Sequence, residues 1–148
     1  MQFVKTHLKL FCVLVAIAAL IVVFLIGYSL FRSTINLPSL SDVTMIEMGT
    51  LTTTNEDEIN VIMSALLEAH RVSIFAMNEQ PFSQNILQIY LYGIVNGEEV
   101  MMRRMYLYTD GGNENIWNSY RGVYRISQEN SIKIRNLYVR MADFTFEN

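Results

Sequence analysis

Beyond residue 31 the chain offers little to a reacting substrate: no cysteine, one histidine at position 70, and scattered carboxylates. A general base needs a nucleophile or a second titrating group beside it, and His70 sits where the pattern predicts the end of a helix. There an imidazolium would complement the helix dipole. Glu56 and Glu58 could pair as acid and base, but they fall in the predicted first turn of that helix, where the same dipole favours negative charge. The run DGGNEN at residues 110–115 carries oxygen donors without the spacing of an EF-hand loop and reads as a turn. A zinc site needs more His and Cys than are present, and neither a P-loop nor a GxGxxG run occurs. No catalytic, cofactor-binding or metal-ligating residue is expected, and an enzyme is not the first expectation.

Recognition chemistry is better supplied. Tyr90 and Tyr92 alternate along one predicted strand, and Trp117, Tyr120 and Tyr124 cluster around a Tyr-x-Gly-Val-Tyr unit in which Gly122 frees the turn. Buried, the last two tyrosines would lock that turn; exposed, the aromatics would anchor a protein, peptide or glycan, since such side chains carry much interface energy. Arg103 and Arg104 are consecutive in a strand, so they leave the sheet on opposite faces. One therefore points to the helix side, where it snorkels or pairs with a carboxylate such as Glu68. The other could lie over Tyr90 or Tyr92 in a cation–π contact. Tyr90, Tyr92, Arg103, Trp117, Tyr120 and Tyr124 form the expected partner surface.

An α+β fold must position these groups. Residues 43–51 (VTMIEMGTL) read as a first strand. A helix follows, capped by Thr53 or Thr54, with Ile59, Ile62, Met63 and Leu66 on one stripe and His70 and Arg71 in its last turn. Residues 86–95 and 100–108 flank Asn96-Gly97, a strong hairpin signal because both residues tolerate positive φ. A second turn at residues 110–113 returns the chain as a strand over 116–119, completing an antiparallel meander under one amphipathic helix. Leu87, Ile89, Leu91 and Val95 are expected to face that helix. Residues 131–141 fit a helix through Ile134, Leu137, Tyr138 and Met141 and fit a strand with one phase break; the helix is preferred, with a frayed or loosely docked tail over 142–148 that Phe144 and Phe146 could anchor.

Residues 11–31 (FCVLVAIAALIVVFLIGYSLF) are uncharged and apolar. As a helix they reach roughly 31 Å, about the thickness of a hydrocarbon core. The run is long for a signal peptide and ends in bulky residues, so an uncleaved anchor in the bilayer is expected. Lys5 and Lys9 precede it and only Arg32 follows closely, which keeps residues 1–10 in the cytoplasm and places the rest outside. Residues 32–42 then read as a linker and 43–148 as one extracytoplasmic domain. Its acids outnumber its bases, with eight acids and one base over residues 33–98 and six acids and seven bases beyond; no concentrated basic face for nucleic acid is implied.

The ordered landmarks Ala76-Met77-Asn78-Glu79-Gln80-Pro81, Leu107-Tyr108 and Tyr120-Arg121-Gly122-Val123-Tyr124 resemble those of an uncharacterised family, domain of unknown function 5301, over roughly residues 43–126. Ser119 and Trp117 depart from its pattern, which has Pro and an acid there. The resemblance implies a secreted or membrane-anchored protein of Gram-positive bacteria and no particular activity. The expected function is a membrane-anchored extracytoplasmic binding module. The alternatives are an accessory subunit of a larger membrane complex or a cell-envelope hydrolase.

Overall fold

Apolar residues on every side of a helix leave it no polar face to turn to water, and the first helix, α1 (Gln2–Arg32), is of that kind between Phe11 and Tyr28. The structure is a computed structural model and describes residues 2–32, 34–74, 76, 80–83 and 85–146. The chain divides into two compact units, Met1–Arg32 and Ser33–Asn148. The 18-residue window Phe11–Tyr28 is long and apolar enough to cross a membrane.

The second unit is α+β. Seven strands, β1 (Met45–Met48), β2 (Leu51–Thr53), β3 (His70–Ser73), β4 (Ile86–Val95), β5 (Glu98–Asp110), β6 (Asn113–Asn118) and β7 (Gly122–Arg125), form one antiparallel sheet in the order β2-β1-β4-β5-β6-β7-β3. Asn96 and Gly97 take φ of 54° and 85°, as a tight hairpin requires, and Gly111 and Gly112 close the next turn. Helix α2 (Glu56–Leu67) buries Ile59, Ile62, Met63 and Leu66, the stripe its sequence prescribes. Helix α3 (Gln128–Phe146) buries Ile134 and Leu137, with Tyr138 and Met141 packed beside them. Both helices cover the sheet face carrying Ile46, Met48, Ile89, Leu91, Met105, Leu107 and Ile116. A smaller cluster of Ala76, Tyr108 and Val123, with Val72, Ile86 and Trp117, lies on the other face.

Six local expectations are corrected. Gly49, at φ 60°, splits residues 43–51 into the β1–β2 hairpin, because a left-handed residue cannot continue a strand. The cap of α2 is Asn55, whose Oδ1 accepts from the backbone N–H of Asp57 at 2.9 Å and of Glu58 at 3.4 Å; Thr53 instead donates its hydroxyl to Glu58 at 2.5 Å. His70 and Arg71 belong to β3, since α2 stops at Leu67. The expected linker is part of the folded unit, with Ile35 only 2% exposed and Leu37 packed on the core. Val95 is exposed beyond the helices, and the tail to Phe146 continues α3; residues 147 and 148 lie outside the described set.

Glu114 ties α3 to the sheet. Its carboxylate accepts from Ser131 Oγ at 2.7 Å, Thr109 Oγ1 at 2.7 Å and Arg135 Nη2 at 3.2 Å. Burial alone would raise its pKa, but the hydrogen bonds from Ser131, Thr109 and Arg135, with the Arg135 charge, hold it below the ordinary value. A lowered folded-state pKa adds stability above the unfolded pKa of about 4.3 that is lost as pH falls through the folded value. Glu114→Gln is therefore expected to lower stability at pH 7 by about 1–3 kcal/mol. It should also flatten the loss on acidification below about pH 4.3, checked by denaturant unfolding at pH 7 and pH 3.5.

Candidate anion-binding site

Register alone gathers four polar groups on the helix-facing side of the sheet. Arg103 stands opposite Leu91, which is wholly buried under the helices, so Arg103 emerges on that side. Two residues on, Met105 faces Asn118, and Asn118 faces Gly122. Tyr124, two beyond Gly122, pairs with Ile116 on one side and Arg71 on the other. Alternation along each strand then places Arg103, Asn118, Tyr124 and Arg71 on one face.

Gly122 has no side chain to stand between them. A Cβ there would lie 3.5 Å from Arg71 Nε and 2.5 Å from the Ser73 carbonyl oxygen, at a φ of 143°. The Arg71 guanidinium crosses this gap to donate to Tyr124 Oη from Nη2 at 2.7 Å and from Nε at 3.2 Å, its centre 5.2 Å from the ring centroid. With both acceptor directions of the hydroxyl taken by Arg71, Tyr124 can act on a ligand only as a donor.

Asn118 is 1% exposed, and its Nδ2 has no hydrogen-bond acceptor; Arg103 Nε is buried and equally unpaired. Arg121, exposed in the β6–β7 turn, joins them, its backbone N–H bonded to the Asn118 carbonyl at 2.9 Å. Burial first, then the charge of Arg121, pushes the Arg103 pKa below its ordinary value, while Tyr124 acts the other way. No ion pair among the described residues reaches Arg71, Arg103 or Arg121. Glu68, at the C-terminal end of α2, accepts from Asn130 Nδ2 at 2.6 Å rather than from an arginine of the basin. A basin of positive charge with two buried donors unpaired and no ion pair to its arginines among the described residues suits a carboxylate, sulfate or phosphate group.

The structure divides the six expected surface residues among three places. Tyr90 and Tyr92 lie half-buried on the face away from the helices, Tyr90 donating to Gln88 Oε1 at 3.0 Å. The hydrogen bond to Glu47, followed by burial, raises the Tyr92 pKa. Trp117 is on that same face, edge-on to Tyr108 with centroids 6.5 Å apart. Tyr120 is exposed at the sheet end with φ of 60°. Arg103 and Tyr124 are on the helix side, and the observed cation–π pair is Arg71 with Tyr124 rather than an arginine with Tyr90 or Tyr92. Glu68 pairs with Asn130 and not with Arg103. Arg71, Asn118 and Arg121 were not anticipated. The signal for Asn118 was its alternation with Ile116, which puts an amide on the core face. Arg125 Nε, also buried and unpaired, belongs to the opposite face, where Arg125 stands across from Asn115.

Comparison with known proteins gives two similarities. The model of the family DUF5301, described as "Domain of unknown function (DUF5300)", matches residues 32–125. A solved structure described as "NMR structure of the protein from Ruminococcus gnavus" has 19% sequence identity and a TM-score of 0.53, over 66% of this chain and 99% of that chain, and shares the fold. No curated protein matches.

Proposed function

This chain belongs to the DUF5301 family, and on that premise we propose that it is a membrane-anchored extracytoplasmic binding module that takes an acidic group of a protein, peptide or glycan partner at Arg71, Arg103 and Arg121. The observation that carries the proposal is the pair of buried donors without acceptors, Asn118 Nδ2 and Arg103 Nε, beside Arg71 and Arg121 on one face. A buried donor left unpaired costs about 1–3 kcal/mol, and a charged one more, so an arriving oxyanion recovers energy that the free protein forgoes. Residues 11–31 support the anchoring, and Lys5 and Lys9 before the span against Arg32 after it support an outward-facing second unit. Tyr90, Tyr92 and Trp117 supply a second contact face on the same unit.

The test uses the full chain in lipid nanodiscs, titrated with sulfate and with glutarate at constant ionic strength. The side-chain Nε–H signals of Arg71 and Arg103 are expected to shift saturably. Arg121→Gln should weaken binding by about ten- to a hundredfold, the value of one charge-assisted hydrogen bond. No saturable shift in a folded sample would reject the site. Protease added to intact protoplasts should digest the second unit; protection there would reject the outward orientation.

A further inference from the structure

We infer that the acid entering this basin is Glu98 of a second copy of the chain, brought there by edge-to-edge pairing along the first half of β5. The inference rests on the proposal above in treating Arg103 as acid-seeking, and names the partner.

Strand β5 is longer than its neighbour. Only Met105–Asp110 pairs with β6, so residues 98–104 have β4 along one edge and no described strand along the other. An open edge of seven residues presents unpaired N–H and C=O groups, the template on which an extended chain adds. The stretch is accessible, Val100 being 42% and Met101 48% exposed.

Its sequence is Glu-Glu-Val-Met-Met-Arg-Arg, acidic at one end, basic at the other and apolar between. Two such edges attract only when antiparallel, and an antiparallel pair of identical strands is what a twofold axis generates. Charges on an edge ordinarily repel a partner; here their order makes the edge complementary to itself.

A bulge decides which charges meet. The β4–β5 pairing passes from Leu91↔Arg103 to Tyr92↔Met101, leaving Met102 as the extra residue. Without it Glu98 and Arg103, five apart, would point to opposite faces. With it Glu98, opposite Val95, and Arg103, opposite Leu91, share the helix-facing side. Pairing centred on Val100 of each copy, with Met102 again the extra residue on both strands, sets Glu99 across from Met101 and Glu98 of each copy across from Arg103 of the other, with Arg121 adjoining. Two ion pairs form by symmetry. Glu99, opposite Ile94, falls on the other face and takes no part. Confinement to one bilayer raises the effective concentration of copies, so a modest edge affinity is enough.

The experiment is resonance energy transfer between N-terminally labelled full chains in lipid vesicles, with amide exchange read over residues 98–104. Wild type should associate and slow exchange there. Glu98→Arg and Arg103→Glu should each weaken self-association by about tenfold or more, and mixing the two should restore it to within about threefold, since each mutant copy then meets an opposite charge. Glu99→Arg should leave association within about twofold, the control for the face. If Arg103→Glu does not fold, the contrast between Glu98→Arg and Glu99→Arg carries the decision, because both positions are exposed. Monomeric wild type, equal effects at 98 and 99, a mixture no better than its parts, or association without slowed exchange would each overturn the inference. Sulfate bound at Arg103 in a chain that stays monomeric would leave the anion site standing and this pairing excluded. Failure of both titrations and association would remove both.

Discussion

Gly93→Ala is expected to unfold the second unit, or to lower its stability by about 3 kcal/mol, the upper range for overpacking a core position. Gly93 is a buried residue within β4, and a Cβ there would run into the Asp42 carbonyl oxygen and Met102 Sδ. The thioether can swing aside, but the carbonyl cannot. Asp42 ends the short 3-10 turn Leu40–Asp42, and two residues later the Thr44 N–H donates to the Tyr92 carbonyl at 2.9 Å, starting the β1–β4 ladder. Moving one oxygen therefore displaces the entry to the sheet. Domains of this size have about 5–15 kcal/mol of net stability, so the loss is large. Gly97→Ala is the comparison: φ is 85° there, with nothing within 4 Å of the added methyl, so only backbone strain of about 1 kcal/mol is expected. Denaturant midpoints of the two full-length variants decide it. Equal shifts would mean that the approach of Asp42 to Gly93 relaxes freely.

What the sequence made legible was whatever depended on periodicity or on a turn that only certain residues can make. The α2 stripe, strand β4 with its Asn96-Gly97 turn, and the helical spacing of Ile134, Leu137, Tyr138 and Met141 are local, and each emerged in the fold. Less visible were features set by partners distant in the chain. His70–Ser73 is a strand because β7 offers an edge, and four residues carry too little pattern to outweigh the apparent continuation of α2. Ile35 is buried because the core reaches it, although its neighbours are polar.

The candidate site shows the same division. That one of Arg103 and Arg104 must face the helices followed from alternation; that it is Arg103 depends on the register with Leu91. Carrying the alternation of β5 back from Arg103 to residues 98–101 fails, because Met102 shifts the phase inside an unbroken run of strand formers, and no residue type announces that bulge. Tyr124 shares its motif with Tyr120, yet one is 1% and the other 66% exposed, since Gly122 between them turns the chain from the sheet end into β7. The aromatic surface read from composition therefore separates in space, and the cationic basin, assembled from β3, β5, β6 and β7, had no contiguous signature.

Tyr124→Ala is expected to cost about 3–5 kcal/mol and Tyr124→Phe about 1–3 kcal/mol, and the difference between them separates packing from polarity. The alanine variant empties a fully buried aromatic position beside Ile116 and strands the Arg71 guanidinium over the void. The phenylalanine variant keeps the ring and removes only the oxygen that accepts twice from Arg71. In that variant Arg71 joins Arg103 Nε and Asn118 Nδ2 as a donor in need of an acceptor, so the basin should bind sulfate more tightly than in wild type, in contrast to the weakening at Arg121→Gln. Anything that binds the folded state alone stabilises it by mass action, and the melting-temperature deficit of Tyr124→Phe should therefore narrow as sulfate is raised at constant ionic strength. The deficit of Tyr124→Ala, dominated by lost packing, should narrow less. A Tyr124→Phe deficit indifferent to sulfate would mean that Arg71 finds its acceptor elsewhere, leaving Arg103 and Arg121 to hold the anion without it.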